Sequence, residues 1–153
     1  MPKIELTVHI DAPIERVYAI AKDVESFPEF MPDVKSLKVL ERSDDGARTV
    51  TEWAGYVPQF RLTVKWTEED VWDDAARVCK FRQLKGDYDR MEGEWQFISN
   101  GSGCAFTSIL DYDFSVPLLG PIVQRVVQHL VKQNLQGILD GIKQRAESKA
   151  SVG

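Results

Sequence analysis

Between Ile10 and Glu41 the sequence reads IDAPIERVYAIAKDVESFPEFMPDVKSLKVLE, and its apolar spacing changes twice within it. Asp11 and Pro13 form a helix-start signature. Ile14, Val17, Tyr18 and Ala21 follow at i, i+3, i+4 and i+7, one apolar face of a short helix. Asp23 is placed to cap a second short helix that carries Val24, Phe27 and Met31 inward and closes at Pro32. Beyond Pro32 the period drops to two, with Leu37 and Val39 alternating with lysines as far as the turn Ser43-Asp44-Asp45-Gly46. Two proline-bounded helices thus lead into a strand.

Strands lie on either side of this segment. Upstream, Ile4, Leu6, Val8 and Ile10 alternate with Lys3, Glu5, Thr7 and His9, which predicts a strand with one buried face. Downstream, a third strand runs from about Ala47 to Tyr56 and stops before Pro58. Phe60, Leu62, Val64 and Trp66 alternate with Arg61, Thr63, Lys65 and Thr67 in the cleanest two-residue period of the chain. Asp73-Asp74 turns into a fifth strand through Phe81, and Gly86-Asp87 turns again. Met91, Gly93, Trp95 and Phe97 share one face of a sixth strand. After the hairpin signal Asn100-Gly101-Ser102-Gly103, a seventh strand aligns Cys104, Phe106, Ser108, Leu110, Tyr112 and Phe114. The chain then becomes helical behind Gly120-Pro121, with Val123, Val127, Leu130, Val131, Ile138, Leu139 and Ile142 as a wide apolar stripe. A meander this long twists and curls, and a long amphipathic helix can plug its concave side. The expected class is α+β.

At 153 residues the chain is of one-domain size. Its formal net charge of -5 argues against a general nucleic-acid binder, which needs a concentrated basic face. The start lacks a basic segment followed by an apolar one, so no secretory signal is expected. No apolar run reaches the roughly 20 residues of a membrane span; contact with a membrane surface, if any, would be transient. Cys79 and Cys104 form no CxxC pair, which fits free thiols and a cytoplasmic location. His9 and His129 stand alone, so no metal is expected, and no phosphate-binding glycine loop or other cofactor motif occurs. The acidic run Glu68-Glu69-Asp70 reads as a solvated strand end.

The element order resembles the helix-grip fold of the START and birch-pollen-allergen superfamily (SRPBCC) over nearly the whole chain. The Ile10–Glu41 segment resembles the opening of its polyketide cyclase/dehydrase and coenzyme Q-binding branch. GDYDRMEGEWQF and CAFTSILDYDFSVPLLG resemble that branch's last two strands and the turn into the final helix. The resemblance implies one START-like domain over residues 1–148 with a frayed tail at 149–153. In it a curled seven-stranded antiparallel sheet wraps around the C-terminal helix, with two short helices after strand 1 and a central hydrophobic cavity.

Related proteins hold lipids, quinones, steroids or aromatic polyketides in that cavity. Here Trp53, Phe60, Val64, Trp66 and Phe81 are its expected walls, with Met91, Trp95, Phe106, Leu110, Val127 and Leu130. Phe27, Phe30 and Met31 are expected at a movable entrance, with Leu118-Leu119-Gly120-Pro121 as the opposite lip. Related aromatase/cyclases carry an arginine and a tryptophan at positions resembling Arg82 and Trp95. Arg82 is therefore the candidate to orient a polar head or, in an enzyme, to stabilise enolate charge. The family's second arginine aligns with Trp66 and its tyrosine with Val34. The implied function is a carrier or chaperone for a hydrophobic small molecule. The alternatives are a polyketide cyclase/dehydrase and a protein- or ribosome-interacting module using the cationic side of the last helix, Arg125, Lys132, Lys143 and Arg145.

Overall fold

The computed structural model describes residues 3–58, 61–114 and 121–150, the last helix with its side chains from 125 to 148. The elements are β1 (Lys3–Ile10), α1 (Ile14–Lys22), a single 3-10 turn (Val24–Ser26), α2 (Phe27–Phe30), β2 (Val34–Arg42), β3 (Arg48–Val57), β4 (Leu62–Asp73), β5 (Val78–Gly86), β6 (Arg90–Asn100), β7 (Gly103–Asp113) and α3 (Pro121–Ala150). All seven strands join one antiparallel sheet in the order β1-β7-β6-β5-β4-β3-β2. This is the α+β helix-grip arrangement. Asp23 does not cap α2 through its side chain; its carboxylate instead accepts the Ser26 hydroxyl at 2.7 Å. The 3-10 turn begins directly after Asp23, so the backbone tightens where a side-chain cap would have opened a longer helix.

The alternating residues of β1, β6 and β7 supply the core floor, with Phe106 wholly buried and stacked on Phe97 at 4.6 Å between ring centroids. Helix α3 covers this floor in two halves. Its C-terminal half buries Leu135, Leu139, Ile142 and Ala146, spaced at i, i+4, i+7 and i+11. That half is also anchored by polar contacts. Arg16 Nε donates to the Ala146 carbonyl at 2.8 Å, Lys143 Nζ donates to the His9 carbonyl at 2.7 Å, and the Asp11 backbone N–H donates to Glu147 at 2.9 Å. The Arg16 bond meets a carbonyl near the helix end, where cations are also favoured by the dipole. The N-terminal half lies over the other end of the sheet, where Leu130 is buried and Val127 and Val131 are half-buried.

Close approaches at Gly141 and Gly86 bear on the site. At Gly141 a Cβ would lie 2.9 Å from Met31 Cγ, so the bare backbone of α3 admits the methionine that follows α2. Gly86 has φ +150°, and its missing Cβ would stand 2.5 Å from Trp66 Cα across the β4–β5 pair. The same pair is irregular between Thr67 and Glu68, where β5 contributes one extra residue.

Candidate functional site

Between the sheet and the N-terminal half of α3 lies a cavity of about 130 Å³. For scale, a buried apolar void of about 150 Å³ admits benzene. One face of β4 supplies much of its wall: Leu62, Val64, Trp66, Glu68, Asp70 and Trp72, every second residue of the strand. Trp53 and Val57 come from β3, Cys79 and Phe81 from β5, Met91 and Trp95 from β6, and Leu110 from β7. Helix α3 closes the space with Val127, Leu130, Val131, Asn134, Leu135 and Ile138. The rings interlock: Trp53 stacks on Trp66 at 5.5 Å with planes 11° apart, and Trp66 meets Tyr88 edge-on at 5.6 Å. Trp95 packs against Trp72, Phe81 and Phe106, each edge-on.

Of the residues expected as walls, Trp53, Val64, Trp66, Phe81, Met91, Trp95, Leu110, Val127 and Leu130 line this cavity. Phe106 does not; its ring is consumed by the Phe97 stack and the Trp95 edge beneath the cavity wall. Phe27, Phe30 and Met31 do not line it either. Phe27 is fully buried against Phe30, Trp53 and Trp95, so it supports the wall from behind. Phe30 lies under the Arg145 guanidinium at 5.0 Å, and Met31 fills the notch at Gly141. Their neighbours Val24, Asp33 and Val34 reach the cavity instead. Phe60 and the lip residues Leu118, Leu119 and Gly120 lie outside the described residues.

Arg82 is also corrected. Its side chain is 61% exposed and pairs with Glu69 at 3.1 Å, on the face of the sheet opposite Phe81. Successive strand residues point to opposite sides, so with Phe81 turned to the cavity Arg82 turns to water.

The acidic run provides the largest correction. Glu69 is on the outer face, paired with Arg48 at 2.7 Å as well as with Arg82, and these guanidinium contacts hold its carboxyl below the ordinary carboxylate range. Glu68 and Asp70 point inward and are each only 5% exposed. The Trp66 indole N–H donates to Glu68 Oε1 at 2.7 Å. Asp70 Oδ2 accepts the hydroxyls of Thr51 at 2.7 Å and Thr49 at 3.1 Å, both brought from β3 by its pairing with β4. Burial, then the charge of Asp70 and a hydrogen bond to it, push the Glu68 carboxyl well above its ordinary value. Burial also raises Asp70, while hydrogen bonds from Glu68, Thr51 and Thr49 work against that rise. Two buried carboxyl groups thus neighbour each other in an otherwise apolar wall, and burial holds both toward their neutral forms. Burial pushes the Cys79 thiol and the Tyr88 phenol up as well, so both stay neutral beside the pair.

Two further side chains complete the polar inventory. Asn134 looks in from α3. Trp95, 6% exposed, has an indole N–H that is buried without a hydrogen-bond partner among the described residues. Among the described residues no group of His, Cys, Asp and Glu could hold a metal ion. No helix among them is long and apolar enough to cross a membrane.

A model of the family described as polyketide cyclase / dehydrase and lipid transport matches residues 10–139, a description that implies a hydrophobic ligand. The chain is 26% identical over 136 residues to the ribosome association toxin RatA of Pseudomonas aeruginosa, covering 88% of each protein. It is 24% identical over 137 residues to the RatA of Escherichia coli, covering 89% of this chain and 84% of that one. Among solved structures, TTHA0849 from Thermus thermophilus superposes with a TM-score of 0.89 at 35% identity, over 96% of this chain and 98% of that one. The Zhui aromatase/cyclase from a Streptomyces species superposes with a TM-score of 0.87 at 21% identity, over 97% of this chain and 95% of that one, a likeness of fold.

Proposed function

This chain belongs to the polyketide cyclase / dehydrase and lipid transport family, and we propose that it binds and carries a hydrophobic small molecule in the cavity under α3. The observation that supports this reading is the cavity wall itself: four tryptophans and a row of aliphatic side chains around unfilled space. Such a surface gains by covering apolar ligand area, at roughly 25 cal/mol per Å² before the entropy of binding is subtracted. Against cyclase chemistry stands the outward side chain of Arg82, the charged participant that chemistry would have used. Native mass spectrometry of protein purified from cells tests the carrier reading. A co-purifying apolar mass that is lost on denaturation is the expected result. Protein that arrives without any adduct, and whose tryptophan signals ignore apolar probes, would overturn it.

A second reading draws on a different observation. Arg125 and Lys132 are exposed on α3, whereas Lys143 and Arg145 are engaged by Glu147, His9 and Phe30. Two relatives at about a quarter identity carry the name of a ribosome association toxin. Co-sedimentation with ribosomes that disappears in the double variant Arg125→Glu, Lys132→Glu would favour this reading.

A further inference from the structure

The charged residues that line the cavity are Asp33, Glu68 and Asp70, and no lysine, arginine or histidine among the described residues joins them. A pocket for fatty-acid-type anions would need a cation at that wall, because an unpaired buried carboxylate is strongly disfavoured. The oxygen lone pairs of Glu68 and Asp70 already face that wall, so a ligand anion would meet repulsion there in a low-dielectric space. A cationic ligand is also poorly served. Burial holds both carboxyl groups toward their neutral forms, so little negative charge is fixed there to offset stripping water from an ammonium group.

A neutral hydroxyl fits better. Glu68 Oε1 accepts one hydrogen bond, from Trp66, and keeps acceptor capacity. The Asp70 carboxyl accepts from Thr49 and Thr51 at Oδ2 and keeps acceptor capacity at Oδ1. The Trp95 indole N–H is the complementary feature: a buried donor in the same cavity wall with no acceptor among the described residues. A buried donor left unsatisfied is costly, and a ligand oxygen would relieve that cost. In register terms Asp70 pairs with Phe81, Phe81 with Gly93, and Trp95 lies two residues along β6 from Gly93. The carboxyl pair and the indole donor therefore stand two strands and two residues apart, roughly 12 Å by strand spacing and rise, the span of a substituted ring system.

We propose that Glu68 and Asp70 form a hydrogen-bonding station that selects neutral, hydroxyl-bearing hydrophobic ligands, of phenol or alcohol type, over carboxylate lipids and amines. Trp95 supplies the donor for an oxygen of the same ligand. The inference rests on the cavity being a ligand site, and the following experiment separates failure of one from failure of the other.

Four probes that share a p-tolyl core are titrated into the ¹⁵N-labelled protein at pH 7: toluene, p-cresol, 4-methylbenzoate and 4-methylbenzylamine. The readout is the four tryptophan indole N–H signals, all of which belong to the cavity wall. The expected result is that p-cresol binds about tenfold more tightly than toluene, as one buried hydrogen bond to a carboxyl group allows. It should move the Trp66 indole signal most, because its single hydroxyl reaches the carboxyl pair and not Trp95 two strands away, with both charged probes weaker than toluene. Glu68→Leu should erase the advantage of p-cresol over toluene, and Glu68→Gln, which keeps a donor and an acceptor, should retain it. Equal affinity for p-cresol and toluene, a persistent p-cresol advantage in Glu68→Leu, or tightest binding by either charged probe would overturn the proposal while leaving the carrier reading intact. If none of the four probes moves an indole signal, the carrier reading falls with it. The ranking of probes by the unmodified protein decides the question if Glu68→Leu fails to fold.

Discussion

Trp66 and Glu68, two residues apart on the cavity face of β4, are joined by a 2.7 Å hydrogen bond from the indole N–H to Oε1. The bond is compatible with either protonation state of Glu68, but burial and the neighbouring Asp70 favour the acid. In the unfolded chain Glu68 titrates near its ordinary 4.5, and in the folded protein it keeps its proton to higher pH. The folded state therefore binds more protons above that value, and this group's contribution to stability falls as pH rises through the window. Glu69, Asp74 and Asp111 shift downward and act in the opposite sense, but they are common to both proteins in a comparison with Glu68→Gln. Urea denaturation at pH 5 and pH 8 should show the variant gaining on the unmodified protein at the higher pH. An equal difference at both values would mean that Glu68 is ionised throughout.

Gly137 and Gly141 are one helical turn apart on α3 and should respond oppositely to substitution. Nothing lies within 4 Å of a Cβ at exposed Gly137, so Gly137→Ala should stabilise the protein by about 0.5–1 kcal/mol through helix propensity. At Gly141 the Met31 side chain fills the space, so Gly141→Leu should cost about 1–3 kcal/mol through overpacking. Chemical denaturation of the two variants provides the check.

Arg82→Ala should leave probe binding unchanged and alter stability by less than about 0.5 kcal/mol, since the residue contributes an exposed ion pair. Titrating the same tryptophan signals with p-cresol would reveal any loss of affinity. A large loss would place the guanidinium at the ligand after all.

Cys79 and Cys104 are free, 2% and 1% exposed, and both thiols are raised by burial. Neither should react with a disulfide-exchange reagent in the native protein at pH 8, and both should react once urea unfolds it. Rapid labelling of one thiol in native protein would show that the cavity wall beside Cys79 opens readily.

The fold was legible because most packing faces are written as simple periods. Ile4 to Ile10, Met91 to Phe97 and Cys104 to Tyr112 alternate as read, and each strand presents its apolar parity to the core. The site was harder to read at two places, for different physical reasons. At Phe81-Arg82 the parity itself contained the answer, because adjacent strand residues cannot both face the cavity. At Glu68 and Asp70 the period that carries Val64 and Trp66 continues unbroken to Trp72, but carboxylates are normally given to water. What makes the burial of Asp70 tolerable comes partly from Thr49 and Thr51, 21 and 19 residues earlier, and only the β3–β4 register reveals that partnership. Phe27 and Met31 show a third limit. Apolar bulk near a pocket can belong to its scaffolding, and Met31 is assigned there by an absent side chain at residue 141.

The two halves of α3 divide the burden of inheritance. Leu139, Ile142 and Ala146, with the Arg16 and Lys143 contacts, fasten the helix independently of the residues over the cavity. Drift at Val127, Val131 or Asn134 can therefore reshape the guest space while the fastening stays intact. A lineage built this way can change its cargo by small steps, each passing through a folded protein.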